Sequence, residues 1–198
     1  RCTVTDNEGR GSGGGICKWG ATLIMDGCTV SDNEAAGRAG GGIKNGHACA
    51  ATTVLTNTTL SGNAVSGRGS AMHTSCDAAA TTSLVGCTVV GNSHSLYGAL
   101  TAGGPGVTVR SSIIGGNTSG NSGNANDLDG QVVVGVEHSL IGDSSMTAAE
   151  SMGSSGELSD TNILATSDGD TPTALADILD TTLAWNGGPT PDHDLVSG

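Results

Sequence analysis

The side chains through which this chain could do chemistry are six cysteines, five histidines, a trio of arginines beside glycine clusters and two pairs of aspartates. Asp127 and Asp129 lie in the run Asn124-Ala-Asn-Asp-Leu-Asp-Gly130, and Asp168 and Asp170 in Ser167-Asp-Gly-Asp170. Paired carboxylates in glycine-containing loops offer the hard oxygen donors that calcium takes, so both are candidate calcium loops. Neither has EF-hand spacing, and a solvated acidic surface is the competing reading. Cys49 and Cys76 fall in equivalent loops of successive repeats, where a disulfide would staple two turns in an oxidising compartment. Cys2 and Cys28 are also repeat equivalents, suited either to a bridge or to service as small buried hydrophobes. No two cysteines form a CxxC pair, which removes support for a zinc ribbon or a thioredoxin-type motif. His47, His73, His94, His138 and His193 show no metal-ligand spacing and read as turn or solvated residues. Arg10, Arg38 and Arg68 each stand beside a glycine corner, where they would form an outer ladder for an anionic glycan or simply a solvated edge.

What positions these residues is a repeat. Cys2-Thr-Val-Thr-Asp-Asn7 recurs as Cys28-Thr-Val-Ser-Asp-Asn33, Thr58-Thr-Leu-Ser-Gly-Asn63 and Cys87-Thr-Val-Val-Gly-Asn92. Weaker copies end at Asn117 and Asp143, so the closing positions are separated by 26, 30, 29, 25 and 26 residues. A second motif (Gly13-Gly-Gly-Ile16, Gly40-Gly-Gly-Ile43, Gly69-Ser-Ala-Met72, Gly98-Ala-Leu100) and a third short apolar run keep step with the first. The pattern predicts an all-β, right-handed parallel β-helix, a solenoid of about six coils of three short strands over residues 1–144. Residues 145–198, acidic and irregular, are expected to cap the last coil or extend from it. Period-2 alternation turns Val4, Val30, Leu60 and Val89 inward and Thr3, Thr29, Thr59 and Thr88 outward. Asn7, Asn33, Asn63, Asn92 and Asn117 are expected to form a turn ladder, because asparagine tolerates left-handed backbone and stacked amides hydrogen-bond to one another. Leucine-rich repeats need more leucine, collagen needs a strict Gly-X-Y period, and helical repeats are disfavoured by the glycine and β-branched content.

Composition agrees with a narrow core. Among 198 residues there are 34 glycines, two tryptophans, one tyrosine and no phenylalanine, so small side chains must fill the interior. All seven basic residues lie in the first 110 positions against six acids, a balance of +1, while the remainder holds thirteen acids and neither Lys nor Arg. The overall charge of −12 argues against nucleic acid and anionic lipid as partners. No apolar run reaches the length of a membrane span.

The strand and corner motifs, followed by Ser112-Ile-Ile-Gly-Gly-Asn117, Asn126-Asp-Leu-Asp-Gly130, Ser139-Leu-Ile-Gly-Asp143 and Asn186-Gly-Gly-Pro-Thr-Pro-Asp-His193, resemble bacterial β-helix proteins of the choice-of-anchor or polymorphic outer-membrane-protein-like kind. The resemblance spans nearly the whole chain. It implies a secreted or surface-anchored protein with an adhesive role and carries over no catalytic residues. The expectation is therefore a non-catalytic extracellular structural or adhesion module that contacts a surface glycan or protein, or assembles end to end into filaments. A polysaccharide lyase or hydrolase is the alternative of another class. The regular Thr-x-Thr face is also the kind of surface that ice-binding β-helices use.

Overall fold

A computed structural model describes residues 1–46, 51–75, 80–94, 98–103, 106–119, 127–128, 133–142, 162–164 and 175–196. Cys49, Cys76, Asp129, Asp168 and Asp170 lie outside the described residues.

The repeat winds into a parallel β-solenoid with four sheets running along its axis. The first sheet stacks Thr3–Thr5, Thr29–Ser31, Thr59–Ser61, Thr88–Val90, Ile113–Gly115, Leu140–Ile141 and Ile163–Leu164. The second is made of two-residue strands at Glu8–Gly9, Glu34–Ala35, Ala64–Val65, Ser93–His94 and Thr118–Ser119. The third stacks Ile16–Lys18, Ile43–Asn45, Met72–Thr74 and Leu100–Ala102. The fourth holds Ala21–Asp26, Ala51–Thr56, Thr81–Val85, Val107–Arg110 and Val133–Glu137. Four turns carry all four strands among the described residues, fewer than the six expected. The extra strand per turn is the short second one. Two residues leave no alternation to detect, which is why it was invisible in the sequence.

Residues in register form aliphatic columns. Val30, Leu60, Val89 and Ile114 of the first sheet face Ile43, Met72 and Leu100 of the third, and Leu55, Leu84 and Val109 of the fourth complete the core; all are buried. Burial of such side chains contributes roughly 1.5–3 kcal/mol each, repeated at every turn.

The corners follow one rule. A residue with left-handed backbone stands just before each ladder asparagine: Asp6, Asp32, Gly62, Gly91 and Gly116, with φ from 54° to 69°. The asparagines themselves are not left-handed, contrary to expectation. The bend before each turns its side chain inward to stack on the next. Asn7, Asn33, Asn63 and Asn92 each donate from Nδ2 to the Oδ1 of the following asparagine at 2.8–2.9 Å, and the same oxygen accepts the backbone N–H at 3.0–3.2 Å.

A second internal ladder opens the first sheet. Gly27, Asn57, Gly86, Ser111 and His138 are left-handed, with φ from 47° to 63°, and precede Cys28, Thr58, Cys87, Ser112 and Ser139. These five each donate to the carbonyl two residues back, at 2.8–3.5 Å. Backbone N–H groups of Cys2, Cys87 and Ser112 donate to Cys28 Sγ, Ser112 Oγ and Ser139 Oγ. Where the glycine clusters turn into the third sheet, a Cβ on Gly41 would sit 2.5 Å from the carbonyl oxygens of Ala64 and Ser70. Glycine is required there because backbone meets backbone.

The segment 175–196 lies along the side of the solenoid. Leu175–Asp177 forms a 3-10 turn, and antiparallel bridges Leu179–Leu195 and Ala184–Asp192 fold the segment back on itself. It covers the outer face of the first sheet. Thr29 Oγ1 donates to Pro191 O at 2.6 Å, His193 Nε2 meets Ser61 Oγ at 3.0 Å, and Leu175 and Leu179 pack with Val90, Leu140 and Ile113. Thr29 and Thr59 are consequently 0% and 7% exposed, so the Thr-x-Thr face is not the open surface that ice binding would need.

Replacing Asn63 by Ala takes the side-chain partner from the buried N–H of Asn33 and from the Val30 carbonyl, and removes the amide–amide bonds to Asn33 and Asn92. At about 1–3 kcal/mol for each buried group left unpaired, and about 2–4 °C per kcal/mol for a chain of this size, the melting temperature should fall by roughly 10 °C. Thermal unfolding followed by circular dichroism checks this. An unchanged melt would mean that the ladder is not under load.

Candidate functional site

The outer face of the third sheet brings together residues that no sequence motif links. Parallel register aligns Cys17, Lys44, His73 and Thr101 in one row across four turns. Neighbours in such a row are one inter-strand spacing, about 4.8 Å, apart. Over its first two members opens a cleft of about 290 Å³, lined by Gly11, Ser12, Cys17, Trp19 and Lys44. Cys17 and Lys44 make its floor. Gly11 and Ser12, from the corner before the third sheet, form one wall and Trp19, from the corner after it, the other. Trp19 is 71% exposed, an unusual state for a large aromatic in a chain with so few.

The two lysines of the region are split by strand alternation. Lys44 belongs to the outward row but is buried in it, 6% exposed, whereas Lys18 aligns with Asn45 and Thr74 and turns inward. Lys18 Nζ donates to the carbonyls of Thr52 at 2.7 Å and Ala21 at 3.0 Å, and burial lowers its pKa. It is part of an internal polar corner that continues with Asn45 Nδ2 donating to Thr82 Oγ1 and with Thr74 Oγ1 paired to Thr82 Oγ1 at 2.7 Å.

His73 is buried in the row, its Nδ1 2.7 Å from Thr101 Oγ1. Burial, reinforced by the positive charges of Lys44 and Arg68, pushes its pKa down to about 3. The imidazole is therefore neutral across the physiological range, and Lys44 supplies the charge of the row.

The arginines stand close to this face without stacking on one another. All three are exposed. Arg68 pairs opposite Ala39, so it is one position out of step with Arg38. Arg10 precedes Gly11 of the cleft wall, and Arg38 follows Gly37, whose N–H bonds to Gly11 O. None of the three lines the cleft, and Arg38 and Arg68 are not register partners.

Asp127 has a different place from the loop site expected of it. It is fully buried, and its Oδ1 accepts from the Asn117 amide at 2.7 Å and from its backbone N–H at 3.2 Å. Leu128 bridges Leu100, so Asp127 stands in the turn position held earlier by Gly42, Ala71 and Ala99. From the wall opposite the asparagines, its carboxylate takes the acceptor role of a next rung. That oxygen is committed inside the solenoid. Among the described residues no three His, Cys, Asp or Glu side chains gather in a metal-binding cluster.

Cys2 and Cys28 are free thiols with sulfurs 3.5 Å apart, and Cys17 and Cys87 are also free. The signal missed at sequence level was the position after Ile16, Ile43 and Met72, whose residue types differ at every turn and so present no motif.

No family model, curated protein or solved structure matches this chain. Fold and site together define a parallel β-solenoid with an aromatic-walled, cation-floored cleft on one lateral face.

Because folded His73 resists protonation while the unfolded imidazole titrates near 6.5, stability is fully present above about pH 6.5 and falls as pH drops toward 3. Between pH 7 and 5 this one group should cost about 2 kcal/mol. The melting temperature of His73→Gln should therefore change less over that interval than that of the parent chain, by roughly 5 °C. Parallel melts at the two pH values provide the measurement, and equal changes would contradict the assignment.

Proposed function

We propose that this chain is a non-catalytic contact module of a secreted or cell-surface protein, of the kind represented by bacterial choice-of-anchor and polymorphic outer-membrane-protein-like β-helices, and that it adheres through the outer face of the third sheet to an acidic glycan. The observation that carries this reading is the cleft over Cys17 and Lys44 with Trp19 as its wall. An exposed indole offers a flat apolar platform for the C–H face of a sugar ring, and Lys44, buried at the base of the cleft, contributes positive potential that favours an acidic sugar. Arg10 and Arg38 extend the positive potential beyond the cleft.

Charge placement supports the same reading. The chain as a whole carries −12, which would oppose a polyanion. The described acids of the C-terminal segment, Asp177, Asp180, Asp192 and Asp194, belong to the segment that covers the first sheet. Around the solenoid the third sheet is separated from the first by a sheet on either side. Screening over about 8 Å at physiological salt weakens the influence of those acids at the cleft.

The rest of the molecule supplies rigidity. A cleft built on stacked strands keeps its shape, so binding does not have to order the site first. Repeated turns also let a polymeric ligand run along the axis past Arg38 and Arg68.

Affinity electrophoresis in gels containing polygalacturonate, with dextran as the neutral control, tests the proposal. The parent chain should be retarded by the acidic polymer only. Trp19→Ala should weaken that retardation at least tenfold, corresponding to about 1.4 kcal/mol, with an unchanged melt because Trp19 is exposed. Retardation of Trp19→Ala equal to that of the parent, or none of the parent chain, would overturn it.

A further inference from the structure

The thiol ladder holds two sulfurs side by side at one place among the described residues. Cys2 and Cys28 are successive rungs, with Sγ atoms 3.5 Å apart and the Cys2 backbone N–H donating to Cys28 Sγ at 3.2 Å. Their neighbours Thr3 and Thr29 pair in parallel register. The two α-carbons are thus about one strand spacing, 4.8 Å, apart, within the roughly 4.4–6.8 Å that a disulfide spans. Cys87, by contrast, has Thr58 and Ser112 as its ladder neighbours, and no sulfur lies next to it there.

The two members of the pair differ in access. Cys2 is exposed and Cys28 is buried. Burial pushes the Cys28 thiol up, but hydrogen bonds from the Cys2 side chain and backbone outweigh it and hold its pKa below the ordinary value. The Cys2 thiol, which donates to Cys28 and is partly shielded, is raised. The geometry is that of an accessible sulfur backed by a second one poised to resolve any adduct formed on it.

We propose that Cys2 and Cys28 form an oxidisable dithiol that closes into a disulfide between the first two turns by exchange with a small external disulfide. The Cys2 thiolate attacks one sulfur of the external disulfide, breaking its S–S bond and releasing one small thiolate. The Cys28 thiolate then attacks Cys2 Sγ in the mixed disulfide, forming the protein S–S bond and expelling the second. Two protein thiols lose two protons and two electrons, and one small disulfide is reduced to two small thiols. Closure releases the Asp26 carbonyl from Cys28 Sγ and converts a hydrogen-bonded rung into a covalent one.

The test uses the full chain, reduced with dithiothreitol, freed of reductant, and equilibrated with oxidised glutathione. Alkylation with N-ethylmaleimide, intact mass and peptide mapping follow. A linked peptide pair containing Cys2 and Cys28 is expected, together with a melting temperature several degrees above that of the reduced protein. Cys28→Ser keeps the rung, since Ser112 and Ser139 fill the same position in later turns, so this variant should fold. Its Cys2 should stop at the glutathione adduct. The proposal is overturned if the folded parent chain, after oxidation, carries maleimide or glutathione on both Cys2 and Cys28, or if Cys2 is found linked to another cysteine.

Discussion

At both ends of the first sheet the described corners turn backbone N–H groups toward the interior, and the fold depends on giving those groups partners. A buried N–H without an acceptor costs as much as several favourable contacts return. The chain solves this with side chains that repeat once per turn. At the end of the first sheet the acceptor is the Oδ1 of the next asparagine, and at its start a thiol or hydroxyl. Each rung serves the turn before it and depends on the turn after it, so the turns are coupled by hydrogen bonds as well as by stacked aliphatics. A left-handed residue before each rung makes the inward bend.

The same need explains Asp127. The asparagine series requires an acceptor after Asn117, and the carboxylate of Asp127 supplies it from across the interior. An acidic residue that looks like a loop ligand in the sequence is a structural member of the core. The C-terminal segment is a comparable case on the outside. The outward residues of the first sheet change from Thr29, Ser31, Thr59 and Ser61 to Val90 and Ile113, matching a cover that is polar at Pro191 and His193 and apolar at Leu175 and Leu179. What reads as decay of a threonine array is complementarity to a segment far away in sequence.

The contact site proposed for this chain lies outside that internal regularity. The outward row of the third sheet carries Cys17, Lys44, His73 and Thr101, with Trp19 at its margin. A rigid scaffold that fixes such side chains at strand spacing suits recognition of an extended polymer. The described acids of the cover lie over another sheet.

The architecture was legible in the sequence because the determinants of a solenoid are local and repeat. The strand motif, the Asn7-to-Asn117 series and the glycine corners each recur at one period, and period-2 alternation assigned Val30, Leu60 and Val89 to the core. The hydroxyl and thiol rungs were not visible as a ladder, since Cys, Thr and Ser share a hydrogen-bonding role and not a letter. Only the tertiary structure decided that Asp127 joins the interior, that residues 175–196 cover the first sheet, that Arg38 and Arg68 fall out of register, and that Trp19 and Lys44 share a cleft. Those facts depend on contacts between different turns or distant segments, set by winding, register and small differences in turn length. A repeat period records that turns stack; it does not record which unlike side chains the stacking makes neighbours.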